Sequence, residues 1–478
     1  MSDNLLQELH PLFHPKNIAV VGASPKIDPM MMSQGNNYIK GSIEQNFSGK
    51  IFPVHPKAKA ILGFPAYPRV KDIPEPVDLV IFTVPAEASL EVMKDCVEKK
   101  VKFVHLYTAG FGESGRDDFL EMEKKLIDLA RKNGIRIVGP NCMGLYCPEG
   151  GLAFQPMFPN VPGPVGFFSQ SGQMAGMFVM NAAAQGLRFS KVTSFGNARD
   201  LKAHDFLNYL AQDEKTKIIG SYLEGLNDGR AFLEAARKVS SQKPLVIFKG
   251  GMTEGGSRAA MSHTAAIAGS SRIWRAVCRQ TGIISVTSLE ELVFTLSALQ
   301  RMPLPRGKNV AILGGAGGGS VTMTDQAEAE GLKVPQLSDD TIRELETIVP
   351  PQGTSVKNPL DVGRRFFAGD NFNRVMELLR DDDRIDALIF MQPIAMFNRF
   401  GGRTGISMLL KQTLAGQNIL KKPMILVVEK NDGFGGDRVV KEAIERYHAA
   451  NLATFPDFRL AVKITGYLAD YQAYLDRQ

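Results

Sequence analysis

In the first third of the chain, short apolar runs at 17–21, 50–54, 78–84, 101–106 and 135–138 alternate with longer stretches of helical apolar spacing, notably 86–99 and 117–133. Runs this short and this continuously apolar predict strands buried on both faces. The periodicity between them predicts helices laid across those strands. Such alternation is the pattern of a parallel, doubly wound sheet in an α/β protein. A second block repeats it with runs at 164–168, 190–195, 217–223, 244–248 and 282–286, and a third with runs at 309–313, 386–390 and 423–428. Pro- and Gly-rich passages at 148–164 and 299–309 interrupt the pattern, so the expected domains are 1–147, 148–303 and 304–478. Within the third block a helix is expected over 321–330, and Asp381, Asp382, Asp383 and Arg384 read as a solvated loop.

Length and composition narrow the function classes. The 478 residues suit three ordinary domains, and 44% hydrophobic content supplies a core for each. A net charge of +6 is modest, and Lys and Arg are scattered, with no zinc-finger spacing or basic–aromatic signature. Nucleic acid is therefore not an expected partner, whereas small anionic ligands are compatible with the charge. The N-terminus lacks the pattern of a secretory signal, and no apolar run reaches bilayer length, so no membrane is expected. Cys96, Cys142, Cys147 and Cys278 are irregularly spaced and lack partners for a zinc site. Reduced thiols, a cytoplasmic location and no metal held by this chain are the expectation.

Ligands of doubly wound sheets sit beyond the carboxyl ends of the strands. In the first block those ends read Gly22-Ala23-Ser24, Val54 followed by His55 and Lys57, Val84-Pro85, and Gly139-Pro140-Asn141-Cys142. The dinucleotide fingerprint is missing, both its glycines and the acidic residue after the second strand. Lys57 in that place favours a phosphorylated ribose or pyrophosphate, hence NADP or coenzyme A over NAD; it also reads as a solvated surface lysine. In the second block Ser169-Gln170-Ser171-Gly172 opens a helix, as an anion-binding start or as ordinary serine capping. Glu224 follows the third strand and Lys249 ends the fourth. In the third block the glycine-rich run 314–320 is an anion cradle or a packing turn, and no Walker Lys-Ser/Thr follows it.

The remaining chemistry gathers in the small-residue stretch 257–269, where His263 stands between Ser262 and Thr264, near Arg258. Taken alone, His263 is a nucleophile for phosphoryl transfer or a loop histidine satisfied locally. A carboxylate such as Glu224 accepting one ring N–H leaves the other nitrogen free to attack phosphorus.

Taken in order, Gly22-Ala23-Ser24, Pro53 to Lys57, Ala109 to Glu113, Gly139 to Cys142, Ser169 to Gly172, Ser194-Phe195-Gly196-Asn197, Tyr222 to Gly225, Ser262-His263-Thr264 and Lys357 to Asp361 give the chain its likeness. It resembles the α subunit of ADP-forming (NDP-forming) acyl-CoA synthetases, in the succinyl-CoA synthetase superfamily, over almost its whole length. The resemblance implies a CoA-binding Rossmann domain followed by two flavodoxin-like domains. It implies that His263 is the phosphohistidine, Glu224 its orienting carboxylate, and Ser169, Gln170, Ser171 and Gly172 the phosphate cradle. Coenzyme A is implied at Gly22, Ala23, Ser24, Val54, Lys57, Val84, Pro85 and Asn141. The implied reaction is acyl-CoA + ADP + phosphate = carboxylic acid + CoA + ATP, through an acyl phosphate. Nothing after the third block supplies ATP-grasp domains, so a separate β subunit holding ADP/ATP and Mg, in an α2β2 assembly, is expected.

Departures from the family pattern are Ala265 where Gly is common, His55 in a turn that usually has Asn, and a long first turn through 30–37. Met143, Met174, Met177 and Phe178 around the cradle read as a wall for an acyl group larger than acetate or succinate, or as ordinary core residues. The competing reading from another class is a CoA or acyl-CoA sensor without phosphoryl transfer. An NADP-dependent oxidoreductase is a third, opposed by the missing fingerprint.

Overall fold

The computed structural model describes residues 5–26, 32–258, 270–315, 317–349, 354–367, 369–429 and 437–478, in two compact units, Met1–Leu292 and Val293–Gln478.

The first unit holds two large sheets and a two-stranded one. One is parallel and comprises β1 (Asn17–Val21), β2 (Lys50–Val54), β5 (Leu79–Phe82), β6 (Phe103–Leu106) and β7 (Arg136–Val138), in the order β2-β1-β5-β6-β7. A small hairpin, β3 (Ala60–Ile61) and β4 (Phe64–Pro65), leaves β2. These strands form because their interior positions are apolar, apart from the buried His105 of β6. Ala19, Val80, Phe82, Val104 and Leu106 pack into one core, and Ile18, Val20, Leu79 and Ile81 are equally buried on the other face. Helices α1 (Leu5–Phe13), α2 (Gln34–Glu44), α3 (Ala86–Lys99) and α4 (Asp117–Lys132) accompany them. Helix α4 has Asp117 and Asp118 in its first turn and Arg131 and Lys132 in its last, charges that complement the helix dipole.

The other sheet contains β8 (Gly144–Tyr146), β9 (Pro162–Ser169), β10 (Phe189–Ser194), β11 (Ile218–Leu223), β12 (Leu245–Lys249) and β13 (Ile284–Val286), in the order β13-β12-β11-β9-β10-β8. Only β8 is antiparallel, against β10. Helix α5 (Gly172–Ala184) buries Phe178, which stacks on Phe167 of β9 with ring centroids 3.9 Å apart. Backbone bonds sew the loop after β7 to the segment after β10, with Asn197 N–H on Pro140 O at 3.0 Å and Arg199 N–H on Gly139 O at 3.1 Å. Strand β8, absent from the sequence pattern, comes from this passage: it is three residues beside a Pro/Gly-rich stretch, too short to show a period of its own.

The second unit has a four-stranded parallel sheet, β14 (Val310–Leu313), β15 (Ala387–Met391), β16 (Met424–Val427) and β17 (Thr454–Phe455), in that order. Its strands are buried on both faces. Ala311, Leu313, Leu388, Phe390 and Leu426 enter one core, and Val310, Ile312, Ala387, Ile389, Ile425 and Val427 the other. The helix expected at 321–330 begins earlier, at Gly318, just past the glycine turn. The acidic cluster is not uniformly solvated. Asp382 is buried and accepts the N–H groups of Ser338 at 2.8 Å and Arg384 at 3.0 Å, while its neighbours Asp381 and Asp383 are exposed. Burial raises the Asp382 pKa, but these donors outweigh it and hold the carboxyl below its ordinary value. Among the described residues no helix is long and apolar enough to cross a membrane.

Candidate active site

In each large sheet of the first unit the order of the parallel strands reverses, and Gly22, Ser169 and Glu224 lie at those reversals. In the second sheet β10 lies on one side of β9 and β11 on the other, so the crevice opens between the ends of β9 and β11. Ser169 ends β9; its hydroxyl donates to Ser171 O at 2.7 Å and accepts Ser171 N–H at 3.2 Å, folding the tight turn into α5. Ser171 caps the helix, its Oγ accepting Met174 N–H at 3.3 Å. The other first-turn N–H groups lack helical partners and, with the positive end of the dipole, favour an anion.

The turn after β11 closes on this start through a single residue, Gln170. Gln170 N–H donates to Tyr222 O at 3.1 Å, and Gln170 Oε1 accepts Glu224 N–H at 2.5 Å and Gly225 N–H at 2.9 Å. Glu224 is only 8% exposed. Lys249, at the end of neighbouring β12, donates from Nζ to Glu224 O and Gly250 O, each at 2.6 Å. Burial lowers the Lys249 pKa against the opposing pull of Glu224. Burial and the neighbouring Glu224 carboxylate push the Tyr222 pKa up to about 12. A helix start for an anion thus stands beside a held carboxylate. His263 lies outside the described residues, as do Ser262, Thr264 and Ala265. On the described side of that stretch Arg258 pairs with Glu254 at 2.9 Å.

In the first sheet the reversal falls between β1 and β5. Gly22 sits there with φ +97°, and a Cβ on it would lie 2.7 Å from Thr83 O, so no other residue fits this turn. Ala23 is buried, and Ser24 N–H is taken by Asn36 Oδ1 at 2.9 Å. Val54 ends β2 and its carbonyl accepts Gly22 N–H at 3.3 Å. His55 Nδ1 accepts the N–H groups of Lys57 at 3.2 Å and Ala58 at 3.0 Å, the work an Asn side chain does in such a turn. Lys57 itself is exposed. Half-buried Val84 and exposed Pro85 follow β5, with Pro85 at the start of α3. The structure therefore gathers Gly22, Ala23, Val54 and Val84 on one strand edge, with Lys57 at its rim. The glycine gives the close backbone approach that a pyrophosphate-bearing ligand such as coenzyme A requires.

The loop 139–144 joins the two edges. Asn141, at φ +56°, donates its N–H to Thr108 O at 2.9 Å, and its Nδ2 lies 3.5 Å from Asn197 Oδ1. Met143 N–H donates to Ser194 Oγ at 3.1 Å, and the Met143 side chain lies over Gly172, where a Cβ would come 2.3 Å from its Cγ. Beneath the loop His105 is fully buried, with Nε2 3.1 Å from Cys142 O and 3.3 Å from the Tyr38 hydroxyl, which also donates to Met143 O. Burial depresses the His105 pKa to about 4.

Sequence reasoning gave no role to Tyr222 or Asn197 and took Lys249 only as a nearby cation. Asn197 Nδ2 donates to Glu113 Oε2 at 2.7 Å, and Glu113 Oε1 accepts Gly110 N–H at 2.7 Å, so two sequence landmarks turn out to be bonded partners. Met177 and Met180 are exposed on α5 whereas Phe178 is core. The four cysteines are free thiols, and burial raises the Cys142 pKa. Among the described residues no cluster of His, Cys, Asp and Glu is arranged for a metal ion.

Residues 16–148 match the CoA binding domain family, and residues 162–299 the succinyl-CoA ligase like flavodoxin domain family. The chain is 38% identical over 414 residues to the acetate–CoA ligase [ADP-forming] II subunit alpha of Pyrococcus furiosus, covering 85% of this chain and 88% of that one. It is 37% identical over 396 residues to acetate–CoA ligase [ADP-forming] II of Archaeoglobus fulgidus, covering 81% of this chain but only 57% of that longer protein. Among solved structures, the dinucleotide-forming acetyl-coenzyme A synthetase 1 of Ca. Korarchaeum cryptofilum, in complex with phosphate and ADP, superposes with a TM-score of 0.82. That match is at 30% identity and covers 98% of each chain.

Proposed function

We propose, for a chain that belongs to the ADP-forming acyl-CoA synthetase family, that it is the α part of an acid–thiol ligase. It interconverts acyl-CoA, ADP and phosphate with a carboxylic acid, CoA and ATP. Phosphate attacks the thioester carbonyl, the C–S bond breaks, and CoA leaves as the thiol with an acyl phosphate as co-product. A neutral His263 nitrogen then attacks phosphorus; the N–P bond forms, the P–O bond to the acyl group breaks, and the carboxylate departs. Phosphohistidine finally passes its phosphoryl group to ADP. In this scheme Glu224 accepts the other ring N–H and keeps the attacking nitrogen unprotonated, and the start of α5 at Ser169, Gln170, Ser171 and Gly172 receives the transferred phosphate. Coenzyme A lies along Gly22, Ala23, Ser24, Val54, Lys57, Val84, Pro85 and Asn141.

The observation that carries this reading is the shared Gln170 amide, which binds the turn of Glu224 to the cradle helix at the sheet's reversal point. A carboxylate and an anion-binding helix start so joined suit a histidine that is phosphorylated between them. ADP/ATP and Mg2+ are assigned to the ATP-grasp domains of a β subunit, in an α2β2 enzyme of the cytoplasm, and the chain divides as 1–147, 148–303 and 304–478. The acid is a small carboxylic acid, and Met143 and Met174 by the cradle suit an acyl group larger than acetate or succinate.

The test is stoichiometric. With its ATP-grasp partner, phosphate and ADP, the chain should release one thiol from acetyl-CoA or a bulkier acyl-CoA for each ATP formed. A sensor binds the thioester, releases no thiol and makes no ATP; that result removes the proposal.

A further inference from the structure

Two strand-end residues grip Glu224 without belonging to the phosphate cradle. Strands β11 and β12 are paired as far as Leu223 and Lys249, and Gly250 N–H closes on Leu223 O at 2.8 Å. The register of the two strands ends there. Lys249, a residue only 7% exposed, turns its ammonium back to donate to Glu224 O and Gly250 O at 2.6 Å each. On the other side the Tyr222 hydroxyl lies near enough to the Glu224 carboxylate for that charge to raise the tyrosine pKa. Gly250 makes the room, because a Cβ there would lie 2.8 Å from that hydroxyl oxygen. With Gln170 on its N–H and Lys249 on its carbonyl, Glu224 is held at both ends of its backbone, with Tyr222 beside its carboxylate.

We propose that Tyr222 and Lys249 are positioning residues that aim the Glu224 carboxylate at the histidine it serves, Tyr222 through the side chain and Lys249 through the backbone. This rests on the reading of Glu224 as the partner of His263. A carboxylate on a strand-end turn has rotatable bonds to lose, and orientation set in advance is orientation not lost during transfer. Lys249 acts twice: by bonding Gly250 O it also fixes where the chain leaves β12 towards the segment that carries His263.

The experiment measures phosphoenzyme formation from acyl-CoA and phosphate in the chain assembled with its nucleotide-binding partner. The variants are Tyr222→Phe, Lys249→Met, Lys249→Arg and His263→Ala. Tyr222→Phe is expected to slow labelling roughly 5- to 20-fold and Lys249→Met roughly 50-fold or more, with KM for the thioester unchanged within about twofold and partial recovery in Lys249→Arg. Label persisting in His263→Ala overturns the underlying reading. A silent His263→Ala beside wild-type rates in Tyr222→Phe overturns the positioning role alone. Should Lys249→Met lose activity only in step with its folded fraction, Lys249 is structural. The isosteric Tyr222→Phe then decides for the carboxylate.

Discussion

Gln170 Oε1 accepts Glu224 N–H at 2.5 Å across the reversal point of the second sheet, so the residue that enters the cradle helix also fixes the turn of the carboxylate. The same oxygen accepts Gly225 N–H at 2.9 Å. Replacing Gln170 by Leu strands two buried donors, and a loss of about 1–3 kcal/mol is expected. Gln170→Glu keeps an acceptor in place and should lose less. Urea unfolding of both variants measures the difference; equal losses would show that the acceptor is immaterial.

Gly172 is dictated by Met143. A Cβ on Gly172 would lie 2.3 Å from Met143 Cγ, close to the root of that side chain and not at its free end. Gly172→Ala should therefore cost about 1–3 kcal/mol as an overpacking change. Adding Met143→Ala should recover most of it, a coupling readable in thermal melts of the four-member cycle. Additive effects would mean the two residues do not press on one another.

Much of this arrangement was legible in the sequence. The strands were plain because they are buried on both faces and read as unbroken apolar runs, and the residues at their ends fell where a doubly wound sheet places ligands. What stayed hidden was pairwise. Nothing at Asn197 announces a partner 84 residues away in Glu113, nor at Tyr222 a pKa raised by the carboxylate of Glu224. Asp382 looked like one more solvated acid because a run of like residues conceals which member turns inward to cap Ser338. His55 was marked as a departure from Asn, and only the geometry reveals that its Nδ1 supplies the same two bonds.

The buried His105 makes the first unit sensitive to acid. Its folded pKa is about 4 against an ordinary 6.5, so the folded protein binds this proton later than the unfolded chain does. The stability tied to it is complete above pH 6.5 and is lost as pH falls towards 4, a change on the order of 3 kcal/mol for a shift of this size. His14, also depressed to about 4 by burial, acts in the same direction. Urea melts at pH 7 and pH 4.5 can follow Trp274, the chain's one tryptophan, which is buried in the first unit. The loss of stability between the two pH values should be smaller in His105→Asn than in wild type. An unchanged loss would place the acid sensitivity elsewhere.

Lys191 and Asp213 form a buried ion pair at 2.9 Å, backed by Thr216 at 2.6 Å from the same carboxylate oxygen. Lys191→Met leaves that carboxylate buried without its cation and should cost about 3–5 kcal/mol. The double change Lys191→Met with Asp213→Asn should cost less than Lys191→Met alone. A double-mutant cycle by urea unfolding measures the difference.

The most direct test is to map phosphate on the chain by intact and peptide mass after incubation with acyl-CoA and phosphate. One acid-labile phosphate on His263 is expected, absent in His263→Ala and formed more slowly in Glu224→Gln. Phosphate on another residue, or none at all while thiol is released and ATP is made, would contradict transfer through that histidine.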